Sequence, residues 1–96
     1  MLKSRKLQSI NTGGNALKIY DYNGRKNICG DRIREARLKQ RMTQADLAAR
    51  IQVEGVIMER DSISRVEIGT RFIPDYEIPI FAKVLGVSAL WLLGIE

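Results

Sequence analysis

The chain contains no histidine. That absence removes histidine metal ligands, Ser–His and Cys–His nucleophile pairs, and the commonest general base. There is one cysteine, Cys29, so no internal disulfide can form, which fits a reducing cytoplasm. No apolar run approaches the ~18 residues needed to cross a bilayer. The basic N-terminus is not followed by the continuous apolar stretch of a secretory signal. No nucleophile–base pair, phosphate loop or metal cluster is visible in the sequence. The expectation is a cytoplasmic protein that is not an enzyme, needs no cofactor or metal and does not enter a membrane.

What is present is 96 residues, 45% of them hydrophobic and 28% charged, with a net charge of +5. That length suits one small domain with a modest core. The charge is unevenly placed. Residues 1–30 carry six basic groups (Lys3, Arg5, Lys6, Lys18, Arg25 and Lys26) against Asp21, a balance of +5. Residues 31–96 carry ten basic and ten acidic groups, a balance of zero. The pattern is that of a basic arm beside a neutral domain.

Residues 1–15 have no helical or alternating period and read as a tail. Further on, Leu17, Ile19, Tyr20 and Tyr22 lead into Asn23-Gly24, a strong hairpin signal, so 16–29 could form a small hairpin. From Gly30 the period becomes helical. Asp31 can cap a helix running to Gln40. Thr43 can cap a second, with Asp46 at the third position and Leu47, Ala48 and Ile51 on one face. Residues 52–58 make a long connection. A third helix starts at Glu59 or Asp61, buries Ile63 and Val66, and ends at Gly69. Pro74-Asp75 opens a fourth, with Pro79 in its first turn, Ile78, Phe81, Ala82 and Leu85 as its apolar stripe, and Gly86 at its end. Ser88 caps a short fifth helix, Ala89 to Leu93. No strand is expected after residue 30.

The segments Thr43-Gln44-Ala45-Asp46-Leu47-Ala48, Ser62-Ile63-Ser64-Arg65-Val66-Glu67-Ile68-Gly69, Phe81-Ala82-Lys83-Val84-Leu85-Gly86-Val87-Ser88 and Trp91-Leu92-Leu93-Gly94 stand in this order. Together they resemble the Cro/C1-type (XRE) helix-turn-helix family over roughly residues 30–94. The resemblance implies an all-α, compact five-helix, lambda-repressor-like domain at 30–96, preceded by a basic extension at 1–29. It implies a sequence-specific DNA-binding regulator, a repressor that occupies a palindromic operator in double-stranded DNA as a homodimer. The alternative is an antitoxin or adaptor that uses the fold chiefly to bind a protein partner. The connection between the second and third helices is longer than in the tightest relatives.

Carried over position by position, the resemblance puts Gln44 on a phosphate at a helix start, with Thr43 beside it as the cap. Arg60, Asp61 and Arg65 fall at base-facing positions, and Ser62 and Ser64 at or near phosphate-facing ones. Thr70 and Arg71 are candidate backbone contacts. Arginine suits guanine, whose O6 and N7 it can bind together. The bland alternative for each arginine is a solvated surface side chain. Asp61 lies four residues before Arg65, which favours an intrahelical pair. Glu59, Asp61 and Glu67 balance Arg60, Arg65 and Arg71, so residues 59–71 carry no net charge. Arg37 and Glu67 resemble the ion pair that ties the first helix to the recognition helix; the alternative is two solvated charges.

The fifth helix is apolar all round and cannot bury every face in so small a core. A second copy of the chain is the simplest cover for Val87, Leu90, Trp91 and Ile95. The competing reading makes Trp91 part of the core and packs Leu90 on the N-terminal extension. The extension itself has three readings: an arm without a role, a phosphate- or minor-groove-seeking arm, or, at 16–29, a hairpin packed on the domain or on a partner copy.

Overall fold

Among the described residues, five helices follow one another: α1 (Gly30–Lys39), α2 (Gln44–Val53), α3 (Arg60–Ile68), α4 (Glu77–Leu85) and α5 (Ala89–Leu92). The structure is a computed structural model, and it describes residues 21–96. Among the described residues the architecture is all-α, as expected. The expected tail at 1–15 and the first part of the expected hairpin lie outside them. The described remainder of that hairpin is one antiparallel pair: Tyr22 N–H donates to the Arg25 carbonyl at 2.8 Å, and Arg25 N–H to the Tyr22 carbonyl at 3.0 Å. Asn23 and Gly24 between them both take positive φ, 52° and 81°, as a tight two-residue turn requires.

Local chemistry sets most helix ends. Thr43 caps α2 through a complete box: its hydroxyl accepts from Asp46 N–H at 3.0 Å, and the Asp46 carboxylate accepts from Thr43 N–H at 2.9 Å. The Ser88 hydroxyl accepts from Trp91 N–H at 3.0 Å and caps α5. α3 stops at Gly69, whose φ of 87° takes the chain into the left-handed region. α4 begins at Glu77, after a turn in which the Pro74 carbonyl accepts from Glu77 N–H at 2.9 Å. Pro79 is therefore the third residue of α4, where a missing N–H costs the helix nothing.

Asp31 does not cap α1. The helix starts at Gly30, and Asp31 sits exposed in its first turn. The Gly30 N–H is instead taken by Asn27 Oδ1 at 2.8 Å. This matches the rule that a short polar side chain just upstream satisfies an orphan donor.

Ile33 and Ala36 of α1, Leu47, Ala48 and Ile51 of α2, Ile63 and Val66 of α3, Phe81, Ala82 and Leu85 of α4, and Leu92 of α5 form one buried cluster. Each large side chain removed from water stabilises the fold by about 1.5–3 kcal/mol. α3 packs on both α1 and α2, while α5 packs on α4 and α1. The long α2–α3 connection is not all surface. Met58 is buried in the core, and the Gln52 amide fixes its carbonyl at 2.6 Å. The flanking Val53 and Ile57 point out into solvent.

Candidate functional site

The helices α1, α2 and α3 bring four polar residues into one hydrogen-bonded chain. Arg37 of α1 meets Glu67 of α3 through two parallel bonds, Nε to Oε2 at 2.6 Å and Nη2 to Oε1 at 3.0 Å. Its third nitrogen, Nη1, donates to the Met42 carbonyl at 2.8 Å, so every guanidinium nitrogen is used. Both side chains are buried, with 8% and 2% exposure. Glu67 Oε1 also accepts from the Gln44 amide at 3.1 Å. The Gln44 carbonyl in turn accepts from Arg60 Nη1 at 3.1 Å. The chain thus runs from a buried ion pair out to an exposed arginine. It ties the first residue of α2 to the first residue of α3.

Arg65 lies on the outer face of α3, one turn after Asp61. Its Nε donates to Asp61 Oδ2 at 3.2 Å, with both side chains exposed. An exposed pair of this kind contributes well under ~1 kcal/mol to stability, so its consequence is to hold the guanidinium along the helix surface. Ser62 and Ser64 are half-buried on the same helix. The Thr70 hydroxyl turns back to the Arg65 carbonyl at 3.4 Å.

Arg71, two residues past the end of α3 at Gly69, pairs with α4. Its guanidinium binds the buried Glu77 carboxylate, Nη1 to Oε1 at 3.0 Å and Nη2 to Oε2 at 3.4 Å. Nη1 also donates to the Phe72 carbonyl at 3.0 Å. Glu77 stands four residues before Phe81 and eight before Leu85, on the buried stripe of α4. That position requires a cationic partner, and the helical spacing was the signal that could have found the pair.

The C-terminal residues form a separate region. The Arg32 guanidinium stacks 4.8 Å from the Trp91 ring, and its Nη1 donates to the Trp91 carbonyl at 2.7 Å and the Glu96 carbonyl at 3.1 Å. Trp91 and Val87 are half-buried and line a cleft of about 530 Å³ against Glu35 and Lys39 of α1. Leu90 and Ile95 remain open, 49% and 70% exposed. Among the described residues, no group of acidic, cysteine or histidine side chains is arranged to hold a metal ion. No helix there is long and apolar enough to cross a membrane.

Neither a scan against protein-family models nor a search of curated proteins gives a match. The geometry of this chain therefore carries the functional argument.

The segment just before α1 contains contacts that spacing did not reveal. The Asn27 amide donates to the Val66 carbonyl at 3.0 Å and to the Arg71 carbonyl at 2.9 Å. Arg25 donates to the Glu67 carbonyl at 3.3 Å, and Lys26 N–H to the Gly69 carbonyl at 2.7 Å. Lys26 also places its ammonium 5.6 Å from the Phe72 ring. Residues 25–27 thus pack on the end of α3, although the charge of Arg25 and Lys26 made them look like part of a basic arm. The partners lie 39 to 46 residues away in sequence, so no local pattern announces them.

Proposed function

We propose that this protein is a sequence-specific DNA-binding regulator that uses α2 and α3 as a helix-turn-helix. In this reading it acts in the cytoplasm as a repressor, occupying a palindromic operator as a homodimer. The observation that carries the reading is the chain Glu67–Gln44–Arg60. It presents an amide at the start of α2 and a guanidinium at the start of α3 side by side, anchored from behind by a buried charge. Gln44 then meets a phosphate at the positive end of α2. Arg60 and Arg65 read base edges, with Asp61 holding Arg65 in register or accepting from cytosine N4. Ser62, Ser64 and Thr70 supply further backbone contacts. Arg71 supports the domain through Glu77 instead of meeting DNA.

The neutral balance of residues 59–71 argues for selective over indiscriminate binding, since nonspecific affinity comes almost wholly from excess positive charge. The exposed Leu90 and Ile95 supply the self-contact, with half-sites about one helical turn apart. The same two side chains also suit an adaptor, which would dock another protein there. Selection of bound sites from random double-stranded DNA tests the function. Enrichment of a palindrome is expected. Failure to enrich any sequence, with a stoichiometric protein co-purifying, would transfer the reading to the adaptor.

A further inference from the structure

α3 is clamped at both ends, and the second clamp lies outside the helix pair. At its N-terminal end Arg60 is tied to Gln44. At its C-terminal end the Val66 carbonyl accepts from the Gly69 N–H at 3.1 Å, and the carbonyls of the last turn take further donors from outside the helix. The Val66 carbonyl receives the Asn27 amide, the Glu67 carbonyl receives Arg25, and the Gly69 carbonyl receives Lys26 N–H. Asn27 uses every polar group of its side chain here. Both amide hydrogens go to Val66 and Arg71, and its oxygen accepts from Gly30 N–H. It therefore joins the positive end of α1 to the negative end of α3. The Arg25 guanidinium adds a cation at the α3 C-terminus, where the helix dipole favours one.

Close approach makes the junction tight. A Cβ on Gly30 would stand 2.3 Å from the Val66 carbonyl oxygen, a backbone atom that cannot swing aside. A Cβ on Gly69 would stand 2.7 Å from the Arg25 guanidinium carbon. At Gly30 only glycine lets α1 approach α3 this closely, whereas at Gly69 the Arg25 side chain can swing aside and it is the left-handed φ of 87° that favours glycine.

From this geometry we infer that Asn27 and Arg25 are positioning residues for α3. They form a clasp that fixes the angle at which the helix presents Arg60 and Arg65. The inference rests on the DNA-binding reading for its consequence, though the clasp itself can be read without DNA. No group of the clasp touches DNA in this account. Loosening it changes affinity through the orientation of α3 alone.

The test is Asn27→Asp in the full chain. The new carboxylate keeps the oxygen that accepts from Gly30 and loses both donors to Val66 and Arg71. Amide hydrogen exchange is followed at Lys26, Gly69 and Thr70, with helical content checked by circular dichroism. Exchange at these three amides rises about tenfold while the α2 amides keep parental protection, the scale of losing donors to partly buried carbonyls. Affinity for the site selected by the parent falls by about tenfold, with the slope against salt concentration unchanged because no phosphate contact is lost.

Parental exchange at these amides overturns the clasp. Faster exchange with parental affinity overturns its role in presenting α3. A smaller salt slope overturns it in favour of direct backbone contact. If the parent enriches no DNA, the DNA-binding reading and the clasp's part in it fail together, while the exchange pattern still decides whether the clasp holds α3. Should Asn27→Asp fail to fold, Arg25→Ala is measured in its place at the same three amides, with the same outcomes deciding.

Discussion

Arg37 and Glu67 meet in a buried, two-bond ion pair, 2.6 Å and 3.0 Å long, across thirty residues of sequence. The pair joins α1 to α3, and its carboxylate also orders Gln44. Its energetic meaning is asymmetric. Taking two charges out of water is expensive, so the intact pair adds little net stability, whereas removing one partner strands the other. The gain is orientation: Glu67 can bind Arg37 and Gln44 together only with α3 at one setting.

Glu67→Ala therefore leaves the Arg37 guanidinium buried with only the Met42 carbonyl as acceptor. The expected cost is about 3–5 kcal/mol of folding stability, read as a large drop in the thermal midpoint. The double variant Arg37→Met with Glu67→Leu recovers much of that loss, because no charge is left stranded. It still loses the order at Gln44, so stability returns while, under the proposed DNA-binding function, DNA affinity does not. A Glu67→Ala protein melting at the parental temperature would remove this account.

Arg71 gives a sharper separation of roles. It was a candidate DNA-backbone contact on the resemblance, and the structure binds it to the buried Glu77. Arg71→Ala is expected to destabilise the fold by about 2 kcal/mol, less than the Arg37 pair because Arg71 keeps 22% exposure. Urea unfolding measures it. A parental midpoint with weakened DNA binding would restore the contact role.

The helices and their caps could be read from the sequence because their rules are local. Thr43 and Asp46 stand three residues apart, and the apolar faces of α2, α3 and α4 repeat at helical spacing. The five-helix order followed, with α4 starting two residues later than Pro74-Asp75 suggested. Long-range polar contacts were not readable in this way. Arg37–Glu67 came only from resemblance, since nothing in a 30-residue separation specifies a pair. Asn27 was invisible because its partners are backbone carbonyls, which every residue has. Glu77 was within reach: it continues the Phe81–Leu85 stripe, and a carboxylate on a buried stripe demands a cation.

The α2 cap makes stability depend on acid pH. The Thr43 backbone N–H, then its hydroxyl, hold the Asp46 carboxyl below the usual carboxylate range, with Arg50 adding a smaller pull. A carboxyl lowered in the folded state stabilises the protein above the unfolded-state pKa, near 3.8. That contribution is lost as pH falls through the lower folded value. The urea midpoints of the parent and of Asp46→Asn should thus differ at pH 7 and converge below pH ~4. A constant gap down to pH ~2.5 would contradict this assignment.

Cys29 reports opening of the α1 start. It is 2% exposed at the head of α1, and burial pushes its thiol pKa up. Little thiolate forms, and reagents reach it only when the segment opens. Modification by a disulfide reagent at neutral pH should be at least about a hundredfold slower in buffer than in urea. The Asn27→Asp variant should react faster than the parent, because its clasp no longer holds the adjoining backbone. Equal rates for the two would place Cys29 exposure outside the control of that junction.

Leu90 decides between self-association and a closed monomer. Its side chain is 49% exposed beside the fully buried Leu92, so an acid placed there disturbs the interior little. Leu90→Asp should change folding stability by no more than about 0.5–1 kcal/mol. If the exposed C-terminal face joins two copies, the parent sediments as a dimer and the variant as a monomer, because a buried carboxylate would face its own copy across a two-fold axis. DNA affinity then falls as well, since two half-sites no longer share one complex. A parent that sediments as a monomer at tens of micromolar, or a variant that stays dimeric, would take Leu90 out of the contact. A monomeric parent that still selects a palindrome would mean that the two copies meet on the DNA alone.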